Sequence, residues 1–134
     1  MVAPELIESV SCLRGLSPET KAALAEDFDV VEVPAGESVA AQGDFAYELF
    51  AILDGTAQIV QDGEVVATMG PGELCGEIGL LLTGRRTAAI VAETPMRLLA
   101  LFEQRFRRLS REHPEFGDVV HGQSSGRFTR PATA

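Results

Sequence analysis

Tryptophan is absent from these 134 residues, tyrosine occurs once, and cysteine and histidine occur twice each. Cys12 and Cys75 make no disulfide framework and suggest a reducing compartment. Two thiols are too few for an iron–sulfur cluster. His113 and His121 both fall late in the chain, away from any strand-rich stretch that could build a metal site from several ligands. No apolar run approaches the ~20 residues needed to cross a bilayer. The start, Met1-Val2-Ala3-Pro4-Glu5, lacks the basic-then-apolar pattern of a secretory signal. Cationic residues are also scarce: 11 Lys and Arg face 20 Asp and Glu, for a net charge of −9. That balance argues against nonspecific nucleic-acid binding, which depends on a basic surface. A cytoplasmic domain with no nucleic-acid, membrane or metal partner is expected.

What is present is an ordinary globular composition, 46% apolar and 23% charged, in a length suited to one core. Leu6, Ile7 and Val10 recur at helical spacing, and Ser17-Pro18-Glu19 is a capped helix start. From Val30 the pattern turns to short, β-branched, alternating runs: 30–33, 38–39, 48–53, 57–60, 65–69, 87–92 and 96–101. Asp54-Gly55 and Asp62-Gly63 are the strongest hairpin turns, since both favour positive φ. The expected class is mainly β with flanking helices: a jelly-roll (β-roll) barrel with short N-terminal helices and a C-terminal helix. Phe102, Phe106 and Leu109 should line the buried face of that helix, ended by His113-Pro114. Gly117, Gly122 and Gly126 then argue against a long second helix. The expected division is a domain over 1–121 and a disordered tail over 122–134.

Charge is uneven along the chain. Residues 1–84 hold 15 acids against Arg14 and Lys21, while residues 85–134 hold nine arginines against five acids. Arg105, Arg107, Arg108 and Arg111 make either a solvated helix face or a docking surface for an acidic partner.

The most informative segment is 72–89. Arg86 offers a planar fork to two phosphate oxygens, or else serves a structural ion pair. The backbone amides of Ile78 and Gly79, at the start of a short helix, add donors for an anion. Glu77 is acceptor-only, suited to a sugar hydroxyl, to capping the helix, or to pairing with Arg86. Gly76 and Gly79 permit close backbone approach or simply make turns. Arg85, on a strand beside Arg86, should face the other way. Thr87 carries a hydroxyl after the arginine, although β propensity alone explains it, and Ala88 follows. Cys75 reads as a small buried hydrophobe or as a redox-sensitive thiol; haem is disfavoured without a strand histidine.

Gly76-Glu77-Ile78-Gly79-Leu80 followed by Arg86-Thr87-Ala88 resembles the phosphate-binding cassette of the cyclic nucleotide-binding domain family. Pro34-Ala35-Gly36-Glu37, Gln42-Gly43-Asp44, Asp54-Gly55, Gly63 and Gly72 resemble its successive turns. The resemblance implies a cyclic nucleotide ligand contacted by Gly76, Glu77, Ile78, Gly79, Arg86, Thr87 and Ala88. In it Arg86 takes the phosphate and Glu77 the ribose 2′-hydroxyl. Cyclic AMP is favoured over cyclic GMP, though threonine at 87 leaves both open. A regulatory role without catalytic residues follows, with output to a protein partner or through a homodimer. The glycine-rich break after Val120 leaves no DNA-reading module and at most a stub of the helix that covers the base in relatives, so weak base discrimination is expected. The alternatives are a degenerate domain that only binds protein and, more remotely, a cupin-like metalloenzyme.

Overall fold

The computed structural model describes residues 1–77 and 79–127. Helices α1 (Pro4–Glu8) and α2 (Pro18–Asp27) flank a 3₁₀ turn over Ser11–Leu13 and lead into eight strands. These are β1 (Asp29–Val33), β2 (Ser38–Ala40), β3 (Glu48–Asp54), β4 (Ala57–Gln61), β5 (Glu64–Met69), β6 (Leu74–Cys75), β7 (Ala89–Ala92) and β8 (Met96–Phe102). Helices α3 (Glu103–Glu112) and α4 (Pro114–Arg127) close the described chain. The strands form two antiparallel four-stranded sheets, ordered β1-β8-β3-β6 and β2-β7-β4-β5. The fold is the mainly β roll with flanking helices expected from the alternating runs; only the two-residue β6 had no pattern to announce it.

Period-2 geometry explains why this roll carries two cores. Along β3, Leu49, Ala51 and Leu53 face the helices, while Phe50 and Ile52 face the interior of the roll. Along β8, Leu99 and Leu101 join the helical cluster, and Met96, Leu98 and Ala100 join the roll. The central strands β3 and β8 are thus covered on both faces and read as continuous apolar runs, while the edge strand β1 is largely exposed. In β4 and β7 only alternate residues, Ala57, Ile59, Ile90 and Ala92, are buried. The helical side is filled by Ile7, Leu13, Leu24 and Phe28 from the N-terminal segment against Phe106, Leu109, Phe116 and Val120. Ser17 caps α2 as expected, accepting from the Thr20 amide at 3.2 Å with Pro18 in the first turn.

Two expectations are corrected, and one pair of alternatives is narrowed. Phe102 is 52% exposed rather than on the buried helix face, because it is the last residue of β8 and precedes α3. Helix α4 runs to Arg127, past glycines expected to stop it, so residues 122–127 are helical; 128–134 lie outside the described residues. Tertiary packing outweighs the ~1 kcal/mol helix penalty of each glycine. Phe116 and Val120, one turn apart, are fully buried, and Phe116 meets Phe106 edge-on at 5.5 Å. Gly117 serves the contact itself: a Cβ there would lie 3.1 Å from Ser110 Cβ. The basic face of α3 is also largely neutralised from within. Arg107 pairs with Glu103 at 2.6 Å, Arg108 with Asp27, and Arg105 donates to the Asp27 carbonyl at 3.0 Å. A docking surface for an acidic partner loses most of its free charge.

Asp62-Gly63 is the expected hairpin turn, joining the paired strands β4 and β5 with φ of +53° and +81°. Asp54-Gly55 is a turn with Gly55 at φ +87° but not a hairpin, because β3 and β4 lie in different sheets. Their surroundings differ. A Cβ on Gly55 would lie 2.3 Å from the Pro95 carbonyl oxygen, whereas one on Gly63 meets nothing within 4 Å. Gly55→Ala should therefore lower unfolding free energy by about 2–4 kcal/mol, combining left-handed strain with overpacking. Gly63→Ala should cost about 1 kcal/mol, the strain alone. Urea titration of both variants checks the order; equal midpoints would contradict it.

Candidate functional site

Three segments converge around Arg86. The loop 43–46 pairs with 84–86 through main-chain bonds: Arg86 N to Asp44 O at 2.7 Å, Gly43 N to Arg86 O at 2.9 Å, and Ala46 N to Gly84 O at 3.0 Å. Strand β6 lies beside β3 with Cys75 opposite Phe50, and this brings Gly76 to the same place. The Arg86 side chain runs inward from there and is 4% exposed. Its Nη1 donates to the Gly76 carbonyl at 3.2 Å and its Nη2 to the Glu48 carbonyl at 2.8 Å. The guanidinium carbon lies 5.2 Å from the centre of the Phe50 ring.

Burial pushes the Arg86 guanidinium down from its ordinary value, and the negative potential of Cys75, Glu48, Glu77 and Asp44 acts against that shift. Desolvation of a cation is unfavourable unless dipoles and opposite charges replace water. Two carbonyl oxygens, an aromatic face and the buried carboxylate of Glu77 supply that replacement here. Arginine stays charged under such conditions where lysine would titrate.

Arg85 is exposed, as expected, although it forms an isolated bridge with Phe45 rather than lying on a strand, since β7 begins only at Ala89. Its Nη1 donates to the Gly43 carbonyl at 2.9 Å, and its guanidinium stacks 4.0 Å above Phe45. The two glycines of the cassette make room for the protein's own atoms. Gly76 has φ +89°, and a Cβ there would lie 2.6 Å from Arg86 Nη1. A Cβ on Gly79 would lie 3.1 Å from both Ala46 Cβ and the Arg85 carbonyl oxygen. The short helix expected at this point is a π-helical turn over Gly79–Thr83, closed by Gly84 N to Gly79 O at 2.8 Å. Single π turns of this kind recur at functional sites. Ile78 lies outside the described residues. Thr87 is half-buried, with its carbonyl accepting from Gln61 Nε2 at 3.2 Å, and Ala88 is fully buried in the roll.

Arg86 forms part of the wall of a cavity of about 350 Å³, together with Asp44, Phe45, Tyr47, Glu48 and Phe50. That size falls in the ~300–1,000 Å³ range of small-ligand sites. The sequence motif announced Glu77 and Arg86. It did not announce Glu48, whose contribution is a backbone carbonyl, nor Tyr47 and Phe45, which follow no spacing rule. The only available signal for them was their position just after Gly43-Asp44. Among the described residues, no group of three or more His, Cys, Asp or Glu is placed to hold a metal ion. His113 lies instead at the α3–α4 corner, where Nδ1 is 3.2 Å from Thr20 Oγ1.

A buried glutamate and a buried arginine thus lie in the one segment that joins β6 to β7, and a family comparison covers that segment: the cyclic nucleotide-binding domain. The model of that domain matches residues 30–113, and the chain belongs to this family. It is 32% identical over 110 residues to the cAMP-dependent protein kinase regulatory subunit of Schizosaccharomyces pombe, across 81% of this chain and 27% of that protein. It is 33% identical over 105 residues to the cyclic AMP receptor protein of Thermus thermophilus, across 75% of this chain and 49% of that one. The chain therefore spans less than half the length of these curated relatives. The regulatory subunit of a cAMP-independent protein kinase A from Trypanosoma brucei shares the fold at TM-score 0.83 and 22% identity, over 93% of this chain and 44% of that one. No helix among the described residues is long and apolar enough to cross a membrane.

Gly76→Ala should destabilise the protein by about 2–4 kcal/mol, from φ strain and collision with Arg86. In an Arg86→Ala background the same change should cost about 1–2 kcal/mol, because the arginine's space is then vacant and what remains is backbone strain and a 3.3 Å approach to the Glu48 carbonyl oxygen. A denaturant double-mutant cycle measures the difference; equal costs in both backgrounds would show that Arg86 does not occupy this space.

Proposed function

We propose that this chain is a non-catalytic regulatory domain that binds a cyclic nucleotide, cyclic AMP in preference to cyclic GMP, and passes the binding event to a protein partner. The observation that carries this reading is Arg86: a buried guanidinium on the wall of a cavity, with the buried Glu77 carboxylate among the charges acting on it. Its Nη1 and Nη2 groups donate to the Gly76 and Glu48 carbonyls. A cyclic phosphate entering the cavity would replace part of that carbonyl coordination with a charge-assisted fork. Glu77 would accept from the ribose 2′-hydroxyl, with Gly76, Ile78, Gly79, Thr87 and Ala88 completing the contact surface. Preference for cyclic AMP is supported by two relatives, the regulatory subunit of a cAMP-dependent protein kinase and a cyclic AMP receptor protein.

A route from ligand to partner is built from packing. Leu80, in the π turn of the cassette, is buried in the same cluster as Phe106, Leu109 and Phe116 of α3 and α4. A ligand that draws the turn toward its phosphate would pull Leu80 against these helices, shifting their equilibrium by its differential affinity for the two arrangements. The second reading is a domain that only binds protein. It is favoured by the carbonyl cage around Arg86, which would stabilise a purely structural arginine equally well.

Isothermal titration calorimetry separates the two. Cyclic AMP should bind, and Arg86→Ala should weaken binding by about 2–4 kcal/mol, as for loss of one partner of a buried charged pair. Identical titrations of wild type and variant would leave the structural reading standing. Glu77→Gln should cost less than Arg86→Ala, since the amide keeps one oxygen acceptor. The same variant should no longer distinguish cyclic AMP from its 2′-deoxy analogue. If discrimination survives intact, Glu77 does not read the ribose.

A further inference from the structure

Two aromatic side chains at the mouth of the Arg86 cavity are left in water. Phe45 and Tyr47 are 55% and 59% exposed, and both line the cavity. Their ring centroids lie 6.0 Å apart with an interplanar angle of 37°. Arg85 stacks 4.0 Å above the Phe45 ring and is itself tied to the Gly43 carbonyl. The backbone beneath them is held at three points: the Phe45–Arg85 bridge, Ala46 N to Gly84 O at 3.0 Å, and Glu103 N to Tyr47 O at 2.8 Å. The rings therefore stand on an anchored loop, and the cation over Phe45 helps hold that ring in place.

Exposed rings beside an anion-binding arginine match a ligand with two chemical ends. We infer that Tyr47, supported by Phe45, is the surface on which the purine base of the bound nucleotide stacks while its phosphate lies on Arg86. The inference rests on the cyclic nucleotide reading proposed above and adds where the base goes and what selects it. Stacking on an aromatic face is available to every base but is strongest for the larger purines. The platform thus selects purine over pyrimidine and discriminates adenine from guanine only weakly. The occupant is argued from continuity: Phe45, Tyr47 and Arg86 line one cavity, so a ligand held by the arginine reaches the rings without leaving it.

The chain has one tyrosine and no tryptophan, so tyrosine emission reports on Tyr47 alone. Wild type, Tyr47→Ala and Tyr47→Phe should be titrated with cyclic AMP, cyclic GMP and cyclic CMP by calorimetry. Wild-type emission should be followed in parallel, corrected for nucleotide absorbance. Tyr47→Ala should weaken both purine nucleotides about tenfold to a hundredfold and cyclic CMP much less, and Tyr47→Phe should restore affinity. Binding of cyclic AMP should quench the wild-type emission. Calorimetric binding with unchanged emission, and with unaltered affinity in Tyr47→Ala, would overturn the platform while leaving the cyclic nucleotide reading intact. Absence of heat with every nucleotide would overturn that reading and the platform with it. Emission that changes with protein concentration and not with nucleotide would assign the rings to contact between copies of the chain, which also overturns it.

Discussion

The burial of one positive charge organises this domain around its site. Arg86 sits in the wall of a roll otherwise filled with Phe50, Ile52, Ile59, Ile90 and Leu98. A guanidinium there is tolerable only if nearly every direction around it offers a carbonyl, a carboxylate or an aromatic face. Gly76 must turn with positive φ so that its oxygen accepts and no Cβ intrudes. Glu48, the first residue of β3, must offer its carbonyl to the guanidinium. The main-chain bonds between 43–46 and 84–86 then hold the arginine backbone where both oxygens are within reach. Three distant segments are made to agree by one side chain.

The same site is joined to the helical core. Leu80 follows the cassette glycines and packs with Phe106, Leu109 and Phe116, so the π turn touches the charged site at one end and the helical core at the other. A packed core does not deform smoothly; it changes between discrete arrangements. The helices are tightly coupled to one another as well, through Gly117 against Ser110 and the ring contact of Phe106 with Phe116. Most of the α3 arginines are engaged within the domain, which leaves little free positive charge on that helix.

Fold and ligand are separate conclusions in this family. The Trypanosoma brucei neighbour shares the architecture over most of this chain and is described as cAMP-independent. The roll supplies a concave surface and two cores. What such a roll binds is set by the side chains it carries and not by the fold itself. For this chain the arginine and the acid are present, and the two aromatic rings beside them are features of its own sequence.

Much of this was legible before any coordinates. Short β-branched runs, Asp-Gly turns and the Ser17-Pro18 cap express local rules, since alternation, positive φ and capping each involve residues close in sequence. The spacing of Gly76, Glu77, Arg86 and Thr87 was legible for the same reason. Tertiary structure decided what depends on partners far along the chain. Helix α4 passes glycines that discourage it because Phe116 and Val120 find a core built from α1, α2 and β3. Phe102 lies on the surface because β8 extends one residue further than its helical spacing suggested. Gly76 is required by the arginine ten residues later as much as by its own turn. Tyr47 meets Arg86 across a cavity that neither residue defines alone. Local sequence sets torsional preferences and periodicity; which side chains share a space is set only when the sheets close.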